Sequence, residues 1–179
     1  MLDYFINKSF GCNDFQVSSV VHKMPNSINK TKIVFVCNHN SARSQMAEAI
    51  FRAQMVESFE VFSAGLKTKA IKPTVFDVMQ EVGISLAGHY SKTIEDIYDG
   101  SPFDYAVLVC SSQCPATSEL AKNTLHWDIT SPFPERRPIE MSSSEKLMHY
   151  RSMRDQLQEQ ICCWLNQQDD TECRREKCA

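Results

Sequence analysis

The run Ile33-Val34-Phe35-Val36 is uninterrupted apolar sequence, the mark of a strand buried on both faces. It ends at Cys37, passes through Asn38-His39-Asn40-Ser41-Ala42, and reaches Arg43 at the head of a stretch with helical spacing. A buried strand that turns straight into a helix constrains the chain strongly. It calls for a parallel sheet, with the turn at the sheet's carboxyl edge and the helix crossing over to the next strand.

The rest of the sequence repeats this alternation. The spacing predicts a first helix from Ser41 to about Val56, with Met46, Ile50, Phe51 and Met55 on one side and Arg43, Glu48, Arg52 and Gln54 elsewhere. Phe59–Ser63 reads as a second strand, closed by Ala64-Gly65. Pro73 suits a helix start, and Val75, Phe76, Val78, Met79 and Val82 give that helix an apolar face up to Gly83. Ile84–Ser91 is a connector, and Thr93–Tyr98 reads as a short helix ended by Asp99-Gly100. Asp104–Cys110 is a third strand and Asn123–Trp127 a weaker fourth. Ser142 or Ser143 caps a last helix, which Leu147, Tyr150, Met153, Leu157, Ile161 and Trp164 carry to about Gln167. The expected fold is α/β, a three-layer sandwich on a four-stranded parallel sheet. Sites in such sheets lie beyond the carboxyl ends of the strands. Two strands end there in cysteine, Cys37 and Cys110, so both sulfurs are expected at one edge.

A chain of 179 residues supports one well-cored domain with some tail. The expected divisions are a mobile extension over 1–30, the domain over 31–167, and a polar tail over 168–179. A formal charge of -3 gives no basic surface for nucleic acid. No apolar run has the length of a membrane span. Met1–Lys8 lacks a basic start followed by a long apolar core, so no signal peptide is expected and the cytoplasm is the expected compartment. There the eight cysteines are expected to be free, catalytic or metal-bound rather than structural disulfides. Cys162-Cys163 lacks metal-type spacing relative to Cys173 and Cys178, so no metal site is expected.

The loop itself carries chemistry. Backbone N–H groups at a strand-to-helix turn, with the helix dipole, make an anion site. Arg43 adds a planar two-pronged grip on an oxyanion. The same positive field favours a thiolate at Cys37, a nucleophile under the bound anion. Asn40 and Ser41 can tie the loop to itself, and Ser44 can hydrogen-bond the sulfur. His39 is expected to point outward, His89 and His126 to be structural, and Lys92 to be solvated.

Cys37-Asn38-His39-Asn40-Ser41-Ala42-Arg43-Ser44-Gln45-Met46-Ala47-Glu48-Ala49 resembles the phosphate loop of the low-molecular-weight protein tyrosine phosphatase fold. It is closest to the thioredoxin-coupled arsenate reductases on that fold. Phosphatases usually carry Ser-Pro after the loop arginine, whereas Ser44-Gln45 follows the reductases. The likeness continues through Phe62-Ser63-Ala64-Gly65, Glu81-Val82-Gly83-Ile84, Cys110, Cys114-Pro115, His126-Trp127 and Arg154-Asp155, and covers roughly residues 31–165. It implies a phosphotyrosine phosphatase I-like sandwich, acting as a monomer. Residues 38–44 would bind arsenate, with phosphate as its analogue. Cys37 would attack arsenic, Cys110 would displace arsenite by attacking Cys37, and Cys114 would move the disulfide to Cys110–Cys114. No cofactor is bound in this scheme, and an external thiol, thioredoxin or glutaredoxin with glutathione, restores the enzyme.

Two features depart from the pattern. Only Ser111-Ser112-Gln113 separate Cys110 from Cys114. An extended chain would hold their Cα atoms about 13 Å apart, against roughly 4.4–6.8 Å for a disulfide, so this stretch must curl. The fold's usual acid, an aspartate before proline, is replaced by Ser131 before Pro132, and a serine cannot protonate a leaving group as a carboxyl does. Asp128 and Glu135 are the nearest carboxyls in sequence. Three functions therefore stand: arsenate reductase, low-molecular-weight tyrosine phosphatase, and a non-catalytic oxyanion-binding module. Gln45, Cys110 and Cys114 favour the first, and Ser131 the third.

Overall fold

A computed structural model describes residues 30–54, 56–110, 119–130 and 141–176, with side chains to 168. Residues 1–29 of the expected extension, Cys12 among them, and Met55, Cys114, Ser131-Pro132, Glu135 and the side chains of Cys173 and Cys178 lie outside the described residues.

The strands are β1 (Thr31–Cys37), β2 (Phe59–Gly65), β3 (Phe103–Leu108) and β4 (Ala121–His126). They form one sheet in the order β2-β1-β3-β4, and every pairing is parallel. The central place of β1 explains its composition, because residues 33–37 are all buried. Alternate side chains serve opposite faces. Ile33, Phe35 and Cys37 join the larger apolar cluster, while Val34 and Val36 join the smaller.

Helices α1 (Arg43–Ala53), α2 (Pro73–Gln80) and α3 (Ser143–Glu176) all contribute to the larger cluster. Phe51, Phe59, Tyr105 and Trp164 stack edge-on or tilted there, with ring centroids 5.1 to 6.2 Å apart. Arg154 fastens α3 to α2: its buried guanidinium donates to the Val78 carbonyl at 2.8 Å and pairs with Glu81. Ser142 and Glu145 close a reciprocal capping box at the head of α3.

Three elements differ from the sequence expectations. Thr93–Tyr98 makes a single turn, with Asp96 and Thr93 bonding each other's backbone, and Ile94 and Ile97 cover the smaller cluster. β3 stops two residues short of Cys110. α3 continues past Gln167 to Glu176.

Candidate active site

The segment between β1 and α1 is held by its carbonyls. Cys37 O accepts from Leu66 N, Asn38 O from Lys67 N, His39 O from Lys69 N and Ser41 O from Lys72 N, at 3.0 to 3.2 Å. A trans peptide points its C=O and the following N–H in opposite directions. With the carbonyls turned toward residues 66–72, the N–H groups that follow them turn to the other side. Asn40 N follows this rule and donates to Cys37 Sγ at 3.2 Å. The N–H groups of His39, Ser41 and Ala42 have no protein acceptor among the described residues, and no side chain caps α1. Orphan donors at a helix head are the physical basis of an anion cradle.

Gly65 permits this approach. A Cβ there would lie 2.6 Å from Lys67 O and 2.7 Å from Asn40 N, both backbone atoms, so no other residue fits. Asn40 supplies the turn itself, at φ 45°, a conformation asparagine tolerates better than most residues. Its fully buried amide then makes four bonds. Nδ2 donates to Ser44 Oγ and Ser63 Oγ, each at 2.9 Å. Oδ1 accepts from Gln45 Nε2 at 2.6 Å and from Lys92 N at 2.9 Å.

Cys37 sits on the floor, buried and outside any disulfide, with its sulfur 2.9 Å from Ser44 Oγ. Gln45 is fully buried beside it. Its Nε2 also donates to Tyr90 O, and its Oε1 accepts from His89 Nδ1 at 2.8 Å. The Gln45 amide thus fixes the His89 tautomer, with the proton on Nδ1. A proline at position 45 would lack every one of these side-chain bonds. Burial, the largest influence, holds the His89 pKa below its ordinary 6.5, with Lys92 and Arg52 adding to the effect against Glu48. His126, by contrast, is exposed at the end of β4.

The expectation of a solvated Lys92 is overturned. Lys92 and Glu48 are both buried and pair at 3.2 Å. Glu48 also takes a hydrogen bond from Ser63 Oγ and an ion pair from Arg52 at 2.8 Å. A chain of contacts therefore runs from the Lys92–Glu48 pair through Ser63, Asn40 and Ser44 to Cys37. α1 is buried nearly all round, so Glu48 has no solvent face to occupy. The Glu48–Arg52 half of this was visible as an i,i+4 spacing; nothing local in the sequence signals a partner 44 residues away. Removing Lys92 leaves the buried Glu48 carboxylate with only the exposed Arg52 and the Ser63 hydroxyl as partners, and an under-compensated buried charge is costly. Lys92→Met should lower the unfolding free energy by about 3 kcal/mol in urea denaturation, and adding Glu48→Gln should recover most of it. A single-variant loss under about 0.5 kcal/mol would show that the pair contributes nothing.

Arg43 opens α1, and its Nη1 donates to Ile129 O at 3.3 Å, so the chain after β4 borders the arginine. Asp128, next to that carbonyl, is exposed. Val109 N bonds Val36 O at 3.0 Å, carrying the β1–β3 pairing beyond Leu108. Cys110 follows immediately and shares the larger buried cluster with Cys37, at 5% and 4% exposure. Cys110 is disulfide-bonded. Burial first, then Lys69, Lys67, Lys72 and Arg43, hold the His39 pKa below 6.5, so the loop's outer face is electropositive. Among the described residues, no group of three or more His, Cys, Asp or Glu side chains could hold a metal ion.

The sequence from 32 to 175 matches the family described as low molecular weight phosphotyrosine protein phosphatase. The arsenate reductase of Halalkalibacterium halodurans is 31% identical over 137 residues, covering 75% of this chain and 94% of that protein. The glutaredoxin arsenate reductase of a Synechocystis strain is 30% identical, covering 73% and 92%. Among solved structures, an arsenate reductase in the phosphate-binding state superposes with a TM-score of 0.64 at 27% identity, over 76% of this chain and 98% of the other. The chain belongs to the low molecular weight phosphotyrosine protein phosphatase family, and within it to the arsenate reductases.

Proposed function

We propose that this protein reduces arsenate to arsenite through a thiol–disulfide cascade, as a monomer whose working unit spans residues 31–167. Residues 38–44 hold the oxyanion by backbone N–H groups and the Arg43 guanidinium. The Cys37 thiolate attacks arsenic and a hydroxyl leaves as water, giving a Cys37–arsenic(V) adduct. The Cys110 thiolate then attacks Cys37 sulfur. The sulfur–arsenic electron pair passes to arsenic, arsenite departs, and a Cys37–Cys110 disulfide remains. Attack of the Cys114 thiolate on Cys110 frees Cys37 and leaves Cys110–Cys114. Two thiols are oxidised for each arsenic reduced by two electrons.

The observation that carries this reading is the placement of two buried cysteines at one sheet edge. Cys37 ends β1 on the floor of the oxyanion loop, and Cys110 lies two residues past β3 in the same buried cluster. In the completed cycle Cys114 is the proposed partner of Cys110. A dithiol protein reductant, thioredoxin or glutaredoxin, reopens that bond; the glutaredoxin relative supports the second. No described helix is long and apolar enough to cross a membrane, and the cytoplasm supplies both the reductant and the reduced resting thiols.

The test couples the protein to NADPH through thioredoxin and its reductase, or through glutaredoxin, glutathione and its reductase. Arsenate should start NADPH consumption in one of the two, and Cys110→Ser should stop it after at most one turnover. Aryl phosphate hydrolysis without arsenate-dependent NADPH loss would make the protein a phosphatase instead. Phosphate binding with neither activity would leave a binding module.

A further inference from the structure

The strap that ties down the loop is Leu66-Lys67-Thr68-Lys69-Ala70-Ile71-Lys72. Each of its lysines is anchored at the loop by its own backbone: Lys67 N on Asn38 O, Lys69 N on His39 O, Lys72 N on Ser41 O. The spacing distributes three cations along the whole length of the cradle. All three side chains are exposed, and none is in an ion pair among the described residues. From Ala64 to Thr74 the sequence contains no acid, although the chain as a whole is at -3. Lys32, Lys92 and Lys122, by contrast, are paired with Asp99, Glu48 and Asp104. The sign of charge along the strap is thus opposite to that of the chain as a whole.

We infer that Lys67, Lys69 and Lys72 form a cationic collar that draws dianionic oxyanions, arsenate and its phosphate analogue, into the loop. Only a single layer of backbone separates the strap from the side to which the loop's N–H groups turn. Charges that close act within a Debye length of about 8 Å at physiological salt, and more strongly when salt is low. His39 already reports the field, since the same lysines help hold its ring neutral. The collar makes no bond to the anion; it raises the local anion concentration and the rate of capture. Arg43 and the N–H groups then do the binding. The inference rests on the oxyanion-site reading of the loop, not on arsenate turnover.

The experiment measures how inorganic phosphate protects Cys37 from iodoacetamide, a neutral reagent that the collar does not attract. It compares the native protein with Lys67→Gln/Lys69→Gln/Lys72→Gln, and with a charge-matched control, Lys30→Gln/Lys32→Gln/Lys122→Gln, at the amino ends of the strands. Raising salt from about 10 mM to about 150 mM should weaken native protection on the order of tenfold. The collar variant should start near the high-salt native value and change less than about twofold, and its His39 pKa, followed by NMR, should rise. The control should track the native protein. If the collar variant keeps either the native affinity or the native salt slope, or if the control loses them equally, the proposal fails. Phosphate protection with the collar's salt signature in a protein that reduces no arsenate would sink the proposed function and leave the collar standing.

Discussion

Cys37→Ser should abolish arsenate-dependent NADPH consumption, a loss of at least about 10³-fold, while the protein stays folded and still binds phosphate. A serine hydroxyl is no thiolate at neutral pH, so neither the attack on arsenic nor the later sulfur exchange has a substitute. The site should survive the change. The hydroxyl can take over the contacts to Ser44 Oγ and Asn40 N that the sulfur makes. The Asn38, His39 and Ser41 carbonyls remain tied to the lysine strap. Phosphate should therefore still raise the melting temperature of the variant, as any ligand of the native state does. Retained turnover would remove Cys37 from the chemistry. Lost phosphate stabilisation together with lost turnover would mean that the sulfur shapes the loop rather than reacting.

Asn40→Ala should be the most damaging change that touches no reacting atom. The alanine loses four hydrogen bonds in a fully buried position. It must also adopt φ 45°, which costs an ordinary residue about 1–2 kcal/mol. Stranded donors, Lys92 N and one N–H of Gln45 Nε2, add desolvation of about 1–3 kcal/mol each, with imperfect additivity. A total loss of about 3–5 kcal/mol in urea denaturation is expected. Turnover in whatever remains folded should fall on the order of 10²-fold, since a displacement of about 1 Å in the loop suffices for that. Asn40→Gly separates the two causes, because glycine accepts the positive φ but none of the bonds. It should recover only about 1 kcal/mol. Full recovery would assign the whole effect to backbone conformation and none to the amide.

The parts of the fold that were legible in the sequence are those set by local pattern. The apolar run of β1, Pro73 at the head of α2 and the Ser142–Glu145 cap of α3 each depend on residues close in the chain. The turn at Thr93–Tyr98 was harder, because the side chains that could have capped a helix close a single turn and Gly100 (φ 90°) follows. The site divides in the same way. Cys37, Asn40, Ser44 and Arg43 fall in one loop and were visible as a group. The role of Gly65 depends on β2 lying in register with β1, so that Gly65 pairs with Cys37. The burial of Lys92 depends on a partner across the domain, and the lysine strap becomes a collar only once its amides are seen on the loop's carbonyls. Long-range register converts ordinary residues into site residues, and no short motif encodes it.

The central claim is that one chain reduces one arsenate by oxidising two of its own thiols, with Cys110 taking part. Fully reduced protein, freed of reductant, should receive one equivalent of arsenate; arsenite and remaining thiols are then counted and the disulfide is mapped by peptide mass spectrometry. One arsenite released per chain, two thiols lost and a disulfide that includes Cys110 is the predicted result. Release of no arsenite with every thiol intact, or a disulfide that leaves Cys110 reduced, would contradict it.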